Sequence, residues 1–491
     1  MTISHERSSR LARARDAWWA AAVIVLAATV TIVPSLAAVA GIAGLLIAAQ
    51  RWPVAALESC AFLVLAARPS LDAFSERRLG LGPLTTNPSV ILGIGLVVVA
   101  SGIELWRART GRQMWPDRWM RRAHVCLFTA YGVAFIAGSW WYGPSGALQG
   151  GREVIRVTSV VLAFLVVFWW VSENPARVVR GWTYLVVGSL PPLVIATWQL
   201  FTDQGFHDVP GINRLQGTLS HPNSLGQYLV PFALVGVSSS LDARWSKRFL
   251  YILGAGVATA FIILTYSRTV LLALASGFVI LPFLYTSRLS VRTGIRAVAA
   301  IGVICVGTWF LTKDAIRERF SGLSLGRGAW EAVQTGTSEN SYEWRLLNWA
   351  VLIQMGRAHA LTGHGAGMTT VLNPMVNSVN GVPFNAHNDF VRFFFEGGVV
   401  GLVAYSSYVV VLCWWVVRRA RMGGTRQATA LGVAASVLAL ILLSAGNTEI
   451  SLQTADLYEL YGMMALALFA GGSATALRQE VHMTATYQLP S

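Results

Sequence analysis

Four short stretches of an otherwise apolar chain concentrate side chains able to bind an anion or move a proton. In NRLQGTLSHPNSLGQYL, residues 213–229, Arg214 precedes His221 and Asn223. In TYSRTVLL a single cation, Arg268, separates two apolar runs. In SENSYEWRLLNW, Arg345 has Glu339 and Glu343 as acidic neighbours. In NAHNDFVRFFFEGGVVGL, residues 385–402, His387 directly precedes Asn388 and Asp389, and Arg392 and Glu396 share a helix face at i,i+4. Guanidinium heads are planar, permanently charged and forked toward phosphate oxygens, so arginines from distant segments suit an anion clamp. A histidine just ahead of a helix N-terminus is kept neutral and can accept a proton.

Each feature also has an ordinary structural role. The Arg214 segment is a phosphate- or sugar-binding loop or a plain loop in which Asn223 or Ser224 caps the next helix. Arg268 binds a ligand or snorkels to lipid headgroups. Arg345 with its glutamates reads equally as a surface ion pair, which contributes little. Gly397, Gly398 and Gly401 read as small residues for close helix packing. The glycines of GHGAG, residues 363–367, resemble a nucleotide loop only superficially, because no strand and helix flank them as a dinucleotide site requires. They are expected to form a turn with close backbone approach.

The elements that must hold these residues are membrane helices. Only 12% of the 491 residues are charged and 54% are hydrophobic, where a soluble domain carries roughly a quarter charged. Apolar runs at about 17–33, 35–49, 54–67, 89–105, 123–141, 154–171, 182–200, 225–241, 249–267, 269–286, 295–311, 390–417, 428–446 and 458–477 approach or reach bilayer length. The fold class is therefore all-α, a polytopic transmembrane bundle of about 12–14 spans. The first run, following Arg7–Arg15, reads as an uncleaved span. The formal charge of +15 is spread over short connectors, not gathered in a patch for nucleic acid. Connectors Arg107–Arg122, Arg177–Arg180, Arg244–Arg248, Arg288–Arg296 and Arg418–Arg426 are dense in arginine or lysine and are expected inside, with both termini cytoplasmic. Segments 68–88, 142–153, 201–224, 312–389 and 447–457 are expected outside. The organisation expected is N-terminal spans over 1–200, spans carrying the Arg214 and Arg268 segments over 201–311, a long extracytoplasmic loop over 312–389, and C-terminal spans with a short tail over 390–491. Within the long loop, Trp344–Met355 has the pattern of an interfacial helix. The four cysteines lie inside apolar runs, without metal or disulfide spacing.

NRLQGTLSHPNSLGQYL, YSRTVLLAL, EWRLLNWAVLIQMGRAHALTGHGAG and HNDFVRFFFEGGVVGL, in that order, resemble the O-antigen ligase and O-antigen polymerase superfamily of bacterial membrane glycosyltransferases. The resemblance covers roughly 200–420. It implies an enzyme of the bacterial plasma membrane that moves a glycan from a polyprenyl pyrophosphate to an acceptor hydroxyl at the outer face. The acceptor is a glycan, a lipid or a cell-wall component, with ligase and polymerase both open. On this reading Arg214, Arg268 and Arg345 hold the pyrophosphate, and His387 is the base. Glu396 orients His387 or pairs with an arginine, while His221, Asn223, Asn388 and Arg392 contribute to substrate binding. No clustered carboxylates mark a divalent-metal site, so a metal-free, cofactor-free reaction is expected. The rival from another class is a transporter or lipid-linked glycan flippase. A transporter should carry charges at mid-span, and Glu58 is the obvious acidic residue there.

Overall fold

A computed structural model describes residues 52–71, 79–81, 84–86, 88–111, 115–209, 212–285, 341–376, 383–422, 427–446 and 454–469. The runs at 17–33, 35–49 and 295–311, with all of 286–340 including Glu339, lie outside them. The described chain is an all-α bundle with two short β-hairpins. Its helices are α1 (Pro53–Leu71), α2 (Pro88–Arg109), α3 (Arg118–Glu173), α4 (Arg177–Thr202), α5 (Pro222–Asp242), α6 (Trp245–Leu264) and α7 (Arg268–Leu284). Further along the chain come α8 (Ser341–Gly356), α9 (Thr369–Leu372), α10 (Asp389–Arg421), α11 (Gln427–Gly446) and α12 (Thr454–Phe469). Strands β1 (Leu79–Leu81) and β2 (Leu84–Thr86) pair antiparallel, as do β3 (Phe206–Val209) and β4 (Ile212–Arg214). Among the described residues, six helices, α1, α3, α4, α5, α6 and α10, are long and apolar enough to cross a membrane.

Two of these helices are not single rods. Gly143 interrupts α3 at φ 58°, ψ −137°, immediately before Pro144. Beyond it the chain runs back on itself, for a Cβ at Gly146 would collide with Gly138 and one at Gly150 would meet the Phe135 ring. The limbs 118–142 and 144–173 thus form an antiparallel helical hairpin, each limb long enough to span a bilayer. The expected spans at 123–141 and 154–171 lie on these limbs, but 142–153 is helix and not an irregular outer connector. Pro144 tolerates this position because the first residue of a helix has no partner for its N–H.

Gly398 breaks α10 in the same way, at φ 61°, ψ −159°. Tyr405 lies against Phe393 with ring centroids 4.1 Å apart, and its hydroxyl donates to Asp389 Oδ2 at 3.1 Å. The limb 389–397 is therefore too short to cross and folds back on 399–421, which corrects the single span expected over 390–417. Gly398 is a hinge, not merely a small packing residue, whereas Gly401 does pack closely, on the Phe393 carbonyl.

The arginine-rich ends of several helices meet at one end of the bundle. Arg107 pairs with Glu173 at 3.0 Å, and Trp415 Nε1 donates at 2.6 Å to Asp117, the residue capping α3. Nearby in sequence, Arg180 reaches Glu58 at 2.9 Å, and Glu58 also accepts from Tyr184 and Trp170. The mid-span carboxylate is thus fully partnered. The Gly143 and Gly398 turns define the other end, where the four motif stretches come together.

Candidate active site

Arg214 is built into place. It ends β4, is 3% exposed, and donates from Nε to the Thr265 carbonyl at 2.9 Å and from Nη2 to Asn223 Oδ1 at 3.1 Å. Its guanidinium also lies over the Phe206 ring. The turn that follows is fastened to α4 by Gln199, whose Oε1 accepts the backbone N–H groups of Gln216 and Gly217 at 3.1 and 2.9 Å. Thr218 donates to the Pro69 carbonyl at 2.8 Å, fixing the same turn to α1. A buried arginine whose neighbours are all anchored has lost its rotamer freedom before any ligand arrives, which favours binding.

Thr265 belongs to the second motif. Its neighbour Tyr266 adopts the left-handed region at φ 48°, so α6 stops abruptly and α7 begins at Arg268. Arg268 is half-buried on the turn whose Thr265 carbonyl holds Arg214. The first and second motifs are thereby one structural unit.

His221 is the N-cap of α5, with Nδ1 accepting the Asn223 N–H at 3.0 Å, and its ring lies 5.0 Å from that of Phe206. A neutral His221 therefore carries its proton on Nε2. Asn223, expected as a cap or a substrate ligand, accepts from Arg214 instead of capping; the cap is His221.

His387 stands at the junction of the remaining motifs. It precedes Asn388, whose side chain caps the short limb of α10 by accepting from Phe390 N at 2.9 Å and Val391 N at 3.2 Å. The histidine backbone is itself left-handed, φ 53°, an uncommon state for a residue with a Cβ. Its ring meets Trp344 at 5.7 Å. Burial, then the Arg345 charge, then His221, push its imidazole down to about 4. Arg345 and His221 are thus near neighbours of His387 across three sequence-distant segments. Arg214, Arg268, Arg345, His221, Asn223 and His387 share one region, although the four motifs span nearly 190 residues of sequence.

Glu396 and Arg392 belong to a second cluster, deeper in the protein. Arg392 is 1% exposed and bonds Glu153 Oε2 at 2.7 Å, with its Nε 3.2 Å from Glu396. Arg156 pairs with the same Glu153, and Thr369 Oγ1 donates to Glu396 at 2.8 Å. Two arginines and two carboxylates balance, as buried charges must. Neither Glu396 nor Arg392 bonds His387, so Glu396 pairs with an arginine and does not orient the ring. Sequence reasoning missed Glu153, placing it in a connector. The spacing Gln149, Glu153, Arg156 on one helical face was the available signal.

GHGAG packs between the α3 hairpin and the short limb of α10. Gly363, Gly365 and Gly367 all have positive φ, and a Cβ at Gly363 or Gly365 would collide with the backbone of Glu396 or Gly138. His364 N and Gly365 N donate to the Phe395 and Glu396 carbonyls at 2.9 and 2.8 Å, while Val399 N donates to Ala360 O at 2.8 Å. The backbone groups released by the Gly398 break are satisfied by this segment, as an apolar setting demands. His364 is a packed residue: Tyr142 bonds its Nδ1 at 2.9 Å, its Nε2 faces the Met355 carbonyl at 3.1 Å, and burial lowers its pKa.

Among the described residues, no group of three or more His, Cys, Asp or Glu side chains is arranged to hold a metal ion. No curated protein matches the chain. Residues 253–406, which contain Arg268, Arg345, GHGAG, His387 and Glu396, match the family model described as O-antigen ligase. The motifs and this domain match agree, and over these residues the chain is similar to the O-antigen ligase family.

Proposed function

We propose that the protein is a membrane glycosyltransferase that moves a glycan from a polyprenyl pyrophosphate to an acceptor hydroxyl. The observation carrying this reading is the meeting of Arg345 and His221 with a neutral His387 at the start of a short capped helix. Arg214, Arg268 and Arg345 hold the pyrophosphate, with Asn223 bonded to Arg214 and His221 capping the helix beside them. The acceptor oxygen attacks the anomeric carbon as its proton passes to His387. The bond from that carbon to the phosphate oxygen breaks, and the electron pair leaves on the pyrophosphate. The arginines act where that charge appears. Asn388 holds the helix start, and Glu396 with Arg392 fixes the limb that carries the histidine. The reaction runs without a metal ion, at the outer face of the plasma membrane, with both termini cytoplasmic.

The test uses membrane vesicles that carry their own donor and acceptor, assayed in chelator. His387→Ala should slow polysaccharide formation about 10²–10⁴-fold while leaving undecaprenyl pyrophosphate binding intact. Because the imidazole works only when deprotonated and its pKa lies near 4, the wild-type rate should hold from pH 7 to about 5 and fall below that. An acid limb near the ordinary histidine value, or normal turnover in His387→Ala, would sink the assignment. Loss of the wild-type rate in chelator, restored by a divalent cation, would remove the metal-free step. Arg→Lys at 214, 268 or 345 should each abolish most undecaprenyl pyrophosphate binding, because an ammonium does not reproduce the bidentate fork. Retained binding in all three would remove the clamp.

A further inference from the structure

Three consecutive carbonyls immediately before His387 are each held by a different side chain. Asn373 Nδ2 donates to Phe384 O at 2.8 Å, Asn348 Nδ2 to Asn385 O at 2.9 Å, and Trp349 Nε1 to Ala386 O at 2.7 Å. Asn373 also donates to Asn348 Oδ1 at 2.8 Å, so the two asparagines act together. Asn348 is 0% exposed and Asn373 2%. Buried polar groups are retained where their bonds are complete, and this set holds backbone that belongs to no regular element.

The bonds bear on a strained residue. A non-glycine φ of 53° persists only where its surroundings over-determine it. At His387 the preceding three carbonyls are pinned and the following helix is capped by Asn388. Two of the pinning residues lie on α8, which also carries Arg345. Arg345, Asn348, Trp349 and Leu352 fall at i, i+3, i+4 and i+7, on a single helix face. Leu352 continues that face into a small core with Met368, Ala386 and Phe395, which buries the residue just before His387.

We propose that Trp349 and Asn348 are positioning residues for His387, and that α8 is a rigid gauge fixing the histidine relative to Arg345. The inference rests on His387 being the base. Trp349→Phe removes the N–H donor while keeping an aromatic ring, and Asn348→Ala removes the second donor. Displacements of about 1 Å can cost a hundredfold in rate. Each variant should therefore lose about ten- to a hundredfold in polysaccharide formation while binding undecaprenyl pyrophosphate as the wild type does. In the His387→Ala background, Trp349→Phe should cause no further loss, because the group it positions is gone. Equal losses in both backgrounds would mean a general structural role and overturn the proposal. So would wild-type turnover in both single variants, or weakened pyrophosphate binding, which would assign α8 to the arginine alone. Normal turnover in His387→Ala by itself would instead bring down the base assignment, a different arm of the same experiment.

Discussion

The breaks in α3 and α10 use nearly the same glycine conformation and achieve different things. At Gly143 the reversal is a bare tip: a Cβ there would meet nothing within 4 Å. Its limbs close on each other through Gly146 and Gly150, and the GHGAG segment packs along their sides at Gly138 without entering the turn. At Gly398 the reversal is a socket: a Cβ would collide with the Leu361 carbonyl carbon, and residues 360–365 supply the missing hydrogen bonds. The limb beginning just after His387 is therefore set by a segment from elsewhere in the chain. The same loop touches both hairpins, but only the turn that follows the candidate base has the loop docked into it.

The largest test of this contrast is Gly398→Ala. Backbone strain of roughly 1–3 kcal/mol adds to overpacking of roughly 1–3 kcal/mol, because the docked backbone has nowhere to move. Thermal unfolding in lipid or detergent should show a loss of about 2–6 kcal/mol, with activity lost as the loop undocks. Next in size is Glu153→Gln, where the α3 hairpin grips the α10 limb. Breaking a buried pair costs roughly 3–5 kcal/mol when a charge is left alone, but Glu396 still accompanies Arg392. A loss of about 2 kcal/mol is expected in the same unfolding measurement, and no loss would mean that the hairpins are not coupled through this pair. The smallest effect belongs to Gly143→Ala, which adds strain in open space and should cost about 1–2 kcal/mol without affecting turnover. If the two glycine variants destabilise equally, the distinction between tip and socket is wrong.

Much of this molecule is legible from residue type and spacing, and the illegible part has a physical reason. The limbs of α3 can be found from their apolar runs. Their junction cannot, because Gly143, Pro144, Gly146 and Gly150 are loop formers, of which Gly146 and Gly150 here serve close helix contact. The apolar sequence of 390–417 is continuous, so hydropathy sees one span. Only a backbone angle at Gly398 divides it, and composition does not encode that angle. Arg214, Arg268, Arg345 and His387 are visible as polar residues in apolar surroundings. Asn348 is visible only as an interruption of a surface-helix pattern, since its role depends on a carbonyl 37 positions away on a returning stretch of chain. Glu153 is hidden by the same error that made its helix a connector.

The short limb of α10 has a consequence for how this region can vary in length. Its two ends are independently fixed: one by the pinned carbonyls before His387, the other by the socket around Gly398. One inserted residue between them would turn the helix by about 100° and lengthen it by about 1.5 Å. Arg392 and Glu396 would then swing away from Glu153 and Thr369, or His387 would swing away from Arg345. Substitutions can be absorbed along this limb, but insertions and deletions cannot. The interval from His387 to Gly398 is a fixed length between two anchors, whereas the exposed turn at Gly143 has space for an altered tip.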